Sequence, residues 1–148
     1  MKTNNDSRRN RRRRGNAMLE AALATPMLFL LLSGVIDFGR AFYFTDIAAG
    51  AARAGTQYGI ISSANAGNTA GMEQAARDEA AGVPSGIFSA TASFFCQDSG
   101  GTTVSCVTNP GAEEYVQVVT HINYALVIPW PGLANPLVIG GISVMRVQ

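Results

Sequence analysis

The hydrophobic pattern changes period twice along this chain, and the changes mark its parts. Between Arg14 and Asp37 lie 22 residues whose only charge is Glu20, and Ala21 to Ile36 is apolar at 12 of 16 positions, including the run Met27-Leu28-Phe29-Leu30-Leu31-Leu32. As a helix, 22 residues reach about 33 Å, enough to cross the hydrocarbon core of a bilayer. The helical pattern does not stop there. Phe38, Phe42, Ala49, Ala52 and Thr56 recur at near-heptad spacing, and Ile47, Ala48, Ala51 and Ala54 form a second stripe. The spacing predicts one helix from about Ala17 to Tyr58, an anchor that protrudes as a spine. Pro26 lacks a backbone donor and crowds the preceding turn, so a mild kink is expected at that point.

Residues 62–71 (SSANAGNTAG) read as a flexible linker. A short helix is predicted from Thr69 or Ala70 to Ala81, with Glu73 and Arg77 paired one turn apart and Gly82-Val83-Pro84 as the stop. Beyond Gly86 the period becomes two. Ile87 to Cys96 and Thr103 to Val107 read as strands. Val116, Val118, Thr120, Ile122, Tyr124 and Leu126 make one face of a long strand, with Gln117, Val119, His121, Asn123 and Ala125 opposite. A last strand is predicted from Pro136 to Val147, with Gly140-Gly141 suggesting a bulge or bend. Three or four antiparallel strands with one apolar face would bury it against the exposed half of the long helix.

Charge adds an orientation. Lys2, Arg8, Arg9 and Arg11 to Arg14 stand against Asp6 alone in the first 15 residues, whereas four arginines face nine carboxylates in the rest. Arginines directly before an apolar span hold that end in the cytoplasm, so the C-terminal part is expected outside. The same arginines resemble a nucleic-acid arm in isolation, but the apolar run behind them argues for a membrane address instead. No small-x-small site suits cleavage as a secretory signal near Leu32 to Asp37, and Ser7-Arg8-Arg9 lacks the apolar residues that follow a twin-arginine address. The segment reads as a retained anchor.

Candidate chemistry is sparse. With one histidine, one lysine (Lys2) and two cysteines, the sequence offers no histidine pair for zinc, no lysine for a Schiff base outside the leader and no four-cysteine site. Phosphate-loop, dinucleotide and nucleophile-elbow motifs are missing, and neither enzyme activity nor a cofactor or metal is expected. His121 reads as a half-exposed strand residue. Adjacent Asp78 and Glu79 point about 100° apart on a helix, as a solvated face does. Cys96 and Cys106 flank a turn-rich connection between strand-like runs. In an exported, oxidising setting they are expected to form a disulfide closing that hairpin. Glu20 is the anomaly of the anchor: either it needs a cationic partner in the apolar layer, or it sits among the lipid headgroups. Gly34, Gly39, Gly50 and Gly55 either admit neighbouring helices closely or are merely tolerated.

Gly15-Asn16-Ala17-Met18-Leu19-Glu20, behind a basic leader and before an apolar helix, resembles the prepilin peptidase site of type IV pilin-like proteins. Glu20-Ala21-Ala22-Leu23, Pro26, Gly34-Val35-Ile36-Asp37-Phe38-Gly39-Arg40, Tyr43 and Ala51-Ala52-Arg53-Ala54-Gly55 narrow the match. They resemble the TadE-like pseudopilins of tight-adherence (Tad, Flp) pilus machines, with Ala21 standing where an aromatic usually follows the Glu.

The resemblance implies an α+β, type IV pilin-like fold: a long N-terminal transmembrane and spine helix packed on a small antiparallel sheet. The expected parts are a basic leader over 1–15, the helix over 16–61 and an exoplasmic domain over 62–148. It implies cleavage between Gly15 and Asn16 by a prepilin peptidase, and a role for Glu20 in assembly. The implied partners are that peptidase, other pilin or pseudopilin subunits and the Tad secretion and assembly machinery, in or on the inner membrane. The reading from another class is an unprocessed single-pass membrane protein with an exoplasmic binding or sensing domain.

Overall fold

A computed structural model describes residues 4–109 and 111–147, with side chains from residue 17 onward. Its elements are α1 (Asn4–Gly59), α2 (Ser63–Ala66), α3 (Thr69–Glu79), β1 (Phe88–Gln97), β2 (Thr103–Val104), β3 (Glu113–Tyr124) and β4 (Leu137–Arg146). The four strands form one antiparallel sheet in the order β2-β1-β3-β4. The layout is α+β and pilin-like: a long apolar helix whose later turns lie on the sheet. The chain divides into two compact units, Met1–Gly39 and Arg40–Gln148.

The second unit is built on alternation. In β3, Val116, Val118, Thr120, Ile122 and Tyr124 are buried while His121 and Asn123 are exposed, as the period of two requires. Phe88 and Ala90 of β1 and Ile139 of β4 are buried on the same side. Against this face lie Ala48, Ala51, Gly55 and Gly59 of α1, all small. Their size permits close approach. A Cβ on Gly55 would come 2.8 Å from the Met72 carbonyl oxygen and 3.0 Å from a Val118 methyl, so only glycine fits. Burying the larger partners, Met72, Val116, Val118, Ile122 and Tyr124, contributes about 1.5–3 kcal/mol each.

Polar groups inside this layer are satisfied and act as pins. The buried Thr120 hydroxyl donates to the Ala48 carbonyl at 2.8 Å, and the Thr56 and Ser143 hydroxyls are 2.9 Å apart. Glu73 does the same for α3. One carboxylate oxygen accepts from the Ala92 amide of β1 at 3.2 Å, while the other meets Arg77 at 3.4 Å in the expected helical pair.

Three local expectations are corrected. The stretch 62–71 is not a featureless linker. Ser62 and Asn68 are N-caps, accepting from the Asn65 and Gly71 amides at 3.2 and 3.0 Å, so each opens a helix. The strand expected over Thr103 to Val107 ends at Val104. Val104 is the ladder partner of Cys96, and two more extended residues would carry Cys106 about 7 Å past it. The chain turns back instead, and Cys106 lies 5.3 Å from Cys96 between Cα atoms. Finally, Gly140-Gly141 makes no bulge: Gly140 pairs with His121 and Gly141 with Thr120 in an unbroken ladder. Gly141 is there because α1 crosses it, where a Cβ would lie 2.6 Å from the Ala48 carbonyl carbon.

Candidate functional site

The apolar stretch of α1 is described first by itself. From Ala17 to Gly59 it is the one helix among the described residues long and apolar enough to cross a membrane. Its large side chains point outward all round: Leu19, Leu23, Met27, Phe29 and Leu31 are each more than half exposed. In water such a surface is costly; in lipid it is matched. The hydroxyls on it are satisfied by the helix itself, Thr25 donating to the Ala21 carbonyl at 2.6 Å and Ser33 to the Leu30 carbonyl at 2.9 Å. A bilayer offers no water to do this. Glu20 is exposed on this helix, near its start. Gly15 and Asn16, the expected cleavage pair, lie outside the residues whose side chains are described.

In the second unit α1 and β3 run in opposite directions. Arg40 lies over the Tyr124 ring, 5.2 Å from its centroid, and Phe44 meets the same ring at 5.3 Å. Higher up, Ala48 meets Thr120, then Gly55 faces Val118, and Gly59 faces Val116. One end of this unit therefore holds Arg40, Phe44 and Tyr124. The opposite end holds Gly59, Val116 and the hairpin closed by Cys96 and Cys106, which are bonded. At that far end Arg146 meets Glu113 at 2.8 Å. There the Tyr115 hydroxyl donates to the other Glu113 oxygen at 2.8 Å, which holds the phenol pKa above its ordinary value.

The small-residue motif Ala51-Ala52-Arg53-Ala54-Gly55 belongs to the interior of the domain. Ala51, Ala52 and Gly55 are buried and Arg53 is exposed, so this stripe is spent on the chain's own sheet and α3. Gly39 and Gly50, by contrast, have no side chain or backbone closer than 3.9 Å to a built Cβ. Asp78 and Glu79 are exposed, Asp78 accepting from Gln74 at 2.8 Å, and His121 is exposed on the outer sheet face. Among the described residues no group of three or more His, Cys, Asp or Glu could hold a metal ion.

Two features escaped the pattern reading. Arg40 stacks on Tyr124 across 84 positions of sequence, which no local period reveals. The Ala125–Pro136 connection forms a compact uncharged loop, for which the signal was present: Trp130 between two prolines in a run without Asp, Glu, Lys or Arg.

A family model described as TadE-like protein matches residues 15–57. The match covers the apolar span and continues into the helix turns that pack on the sheet. No curated protein and no solved structure matches the chain. The chain thus combines a helix apolar and long enough to span a membrane with a segment similar to TadE-like proteins. More narrowly, the likeness to TadE-like proteins lies in residues 15–57 alone.

Proposed function

We propose that this chain is a minor pilin-like subunit, a pseudopilin, of a Tad pilus assembly system. The leader stays in the cytoplasm, the apolar span crosses the inner membrane, and the sheet domain lies outside. A prepilin peptidase cuts between Gly15 and Asn16, and the processed subunit waits in the bilayer for assembly with other pilin or pseudopilin subunits. The observation that carries this reading is the exposed apolar surface of α1 within the TadE-like segment. Such a surface needs lipid or the helices of other subunits around it. The basic residues before it support the orientation.

The chemistry expected of the processed form is electrostatic. Cleavage leaves a cationic α-amino group on Asn16, four residues before Glu20. In an apolar layer each charge alone is costly, and pairing within a chain or between neighbours offsets that cost. Pairing between chains would fix the axial register of an incoming subunit.

The test is intact mass after co-expression with a cognate prepilin peptidase. Loss of residues 1–15 is expected, with Asn16 as the new N-terminus, and Gly15→Val should retain the leader. Full-length protein in a piliated cell, or a different first residue, would defeat the reading.

A further inference from the structure

The two edges of the sheet differ in how they are closed. On the β1 side, β2 pairs with Cys96 and Gln97, and the Glu73 carboxylate of α3 accepts from the Ala92 amide at 3.2 Å. On the β4 side nothing among the described residues does the same. The Val147 amide donates to the Glu114 carbonyl, so the odd-numbered residues of β4 turn their main-chain groups toward β3. The even-numbered ones, Val138, Gly140, Ile142, Val144 and Arg146, therefore turn theirs outward. No main-chain hydrogen-bond partner meets them there among the described residues. Each offers one donor and one acceptor, and the set repeats at about 6.8 Å along the strand.

Nothing in β4 discourages a further strand. Edges are ordinarily blunted by a lysine, a proline, a bulge or shortness. β4 has ten residues and an unbroken ladder, and Leu137 to Met145 carries neither charge nor proline. Its solvent side is instead apolar, with Val138, Ile142 and Val144 exposed at 59%, 65% and 49%. The one charge of the strand, Arg146, stands at its last position. A row of donors and acceptors at this repeat is matched by another extended backbone. A helix has already used its own main-chain groups, and a small ligand does not span the row.

We propose that the free edge of β4 docks an extended segment of another protein, which joins the sheet as a fifth strand antiparallel to β4. Antiparallel addition continues the pattern of this sheet and forms the stronger ladder. The segment is apolar where it faces Val138, Ile142 and Val144, and it carries a carboxylate near its start, opposite Arg146. Arg146 meets Glu113 at 2.8 Å on the β3 side, and the guanidinium fork has further donors for a second carboxylate. Because the rest of the edge is neutral, apolar contact selects the face and this one ion pair sets the register. The proposal does not depend on the membrane-spanning reading of α1.

The test uses the full chain in detergent micelles. The probe is a synthetic peptide of the length of β4, a glutamate followed by alternating threonine and valine, so that valines face Val144 and Ile142. Amide hydrogen exchange reads the edge residue by residue. Without peptide, the Gly140, Ile142 and Val144 amides are expected to exchange fast and those of Gly141 and Ser143 slowly. With peptide, the first set should slow by about tenfold or more while the second is unchanged. The same peptide with lysine for glutamate should bind several-fold more weakly. I142P removes one outward amide at a place where an edge strand tolerates proline, and it should abolish the slowing. I142K keeps the backbone and places a charge in the apolar row, so it decides the matter if I142P loses the slow exchange of Gly141 and Ser143. Unchanged exchange with peptide, or equal slowing in I142K, overturns the docking edge. Equal binding of the two peptides overturns the ion pair at Arg146. Outward amides that are slow without peptide and quicken on dilution would put a second copy of this chain on the edge, and overturn the proposal in favour of self-pairing.

Discussion

Gly141→Ala is expected to loosen the contact between helix and sheet, although it adds one methyl group. Built on the observed backbone, the new Cβ would lie 2.6 Å from the Ala48 carbonyl carbon and 2.8 Å from the Ala49 nitrogen. Comfortable separation is roughly 3.5–4 Å, and both neighbours are helix backbone that cannot rotate away. The helix must recede, and its withdrawal draws the Ala48 carbonyl from the buried Thr120 hydroxyl now 2.8 Å away. Overpacking costs about 1–3 kcal/mol and a weakened buried hydrogen bond about 1 kcal/mol more. Restricting the unfolded chain returns roughly 0.4–1 kcal/mol. The net loss is about 1–3.6 kcal/mol. Urea unfolding of the full chain in detergent micelles, followed by Trp130 fluorescence, reads it. With a slope of about 1–2 kcal/mol per M, the midpoint should fall by about 0.5–3.6 M. Gly50→Ala is the control, since only Glu79 Oε1 comes within reach of its Cβ, at 3.9 Å. In a helix interior that change should stabilise by about 0.5–1 kcal/mol. Unfolding of Gly141→Ala at the wild-type midpoint would refute the close-contact account, and so would an equal loss in Gly50→Ala.

Replacing both Cys96 and Cys106 with serine opens a loop of ten-residue separation and should cost about 3 kcal/mol by loop-entropy arithmetic, lowering the melting temperature without blocking leader removal. Stoichiometric thiol labelling of native exported protein without reductant would contradict the bond in that setting. Glu20→Gln keeps the shape and removes the charge. It should be inserted, processed and disulfide-bonded normally yet reduce piliation or crosslinking to other subunits, and wild-type piliation would defeat the pairing account.

Much of this architecture was legible because burial on one face imposes a period. The alternation from Val116 to Tyr124 and the helical stripe of Ala48 and Ala51 could be read without coordinates, since each residue's environment depends on its own element's direction. What escaped was set by meetings between distant segments. Gly141 looks like a bend in a strand until α1 is laid across it. Gly55 looks like an invitation to a neighbouring helix until Met72 and Val118 are seen to fill that space. Ser62 and Asn68 were signals of the opposite kind, locally complete as caps but hidden in a stretch rich in linker residues. For the site, the apolar span and Glu20 were plain in the sequence. The meeting of Arg40 with Tyr124 was not, because it depends on β3 running back toward Arg40.

That antiparallel course of α1 and β3 has a mechanical consequence. β3 descends toward the Arg40 end, so β4 climbs away from it and Val147 lies at the far end beside Glu114, whose carbonyl accepts the Val147 amide at 2.8 Å. A pull applied between Arg40 and Val147 therefore acts along β4 rather than across it. The ten paired positions from Leu137 to Arg146 face that pull in shear, sharing the load, instead of parting one after another as a zip does.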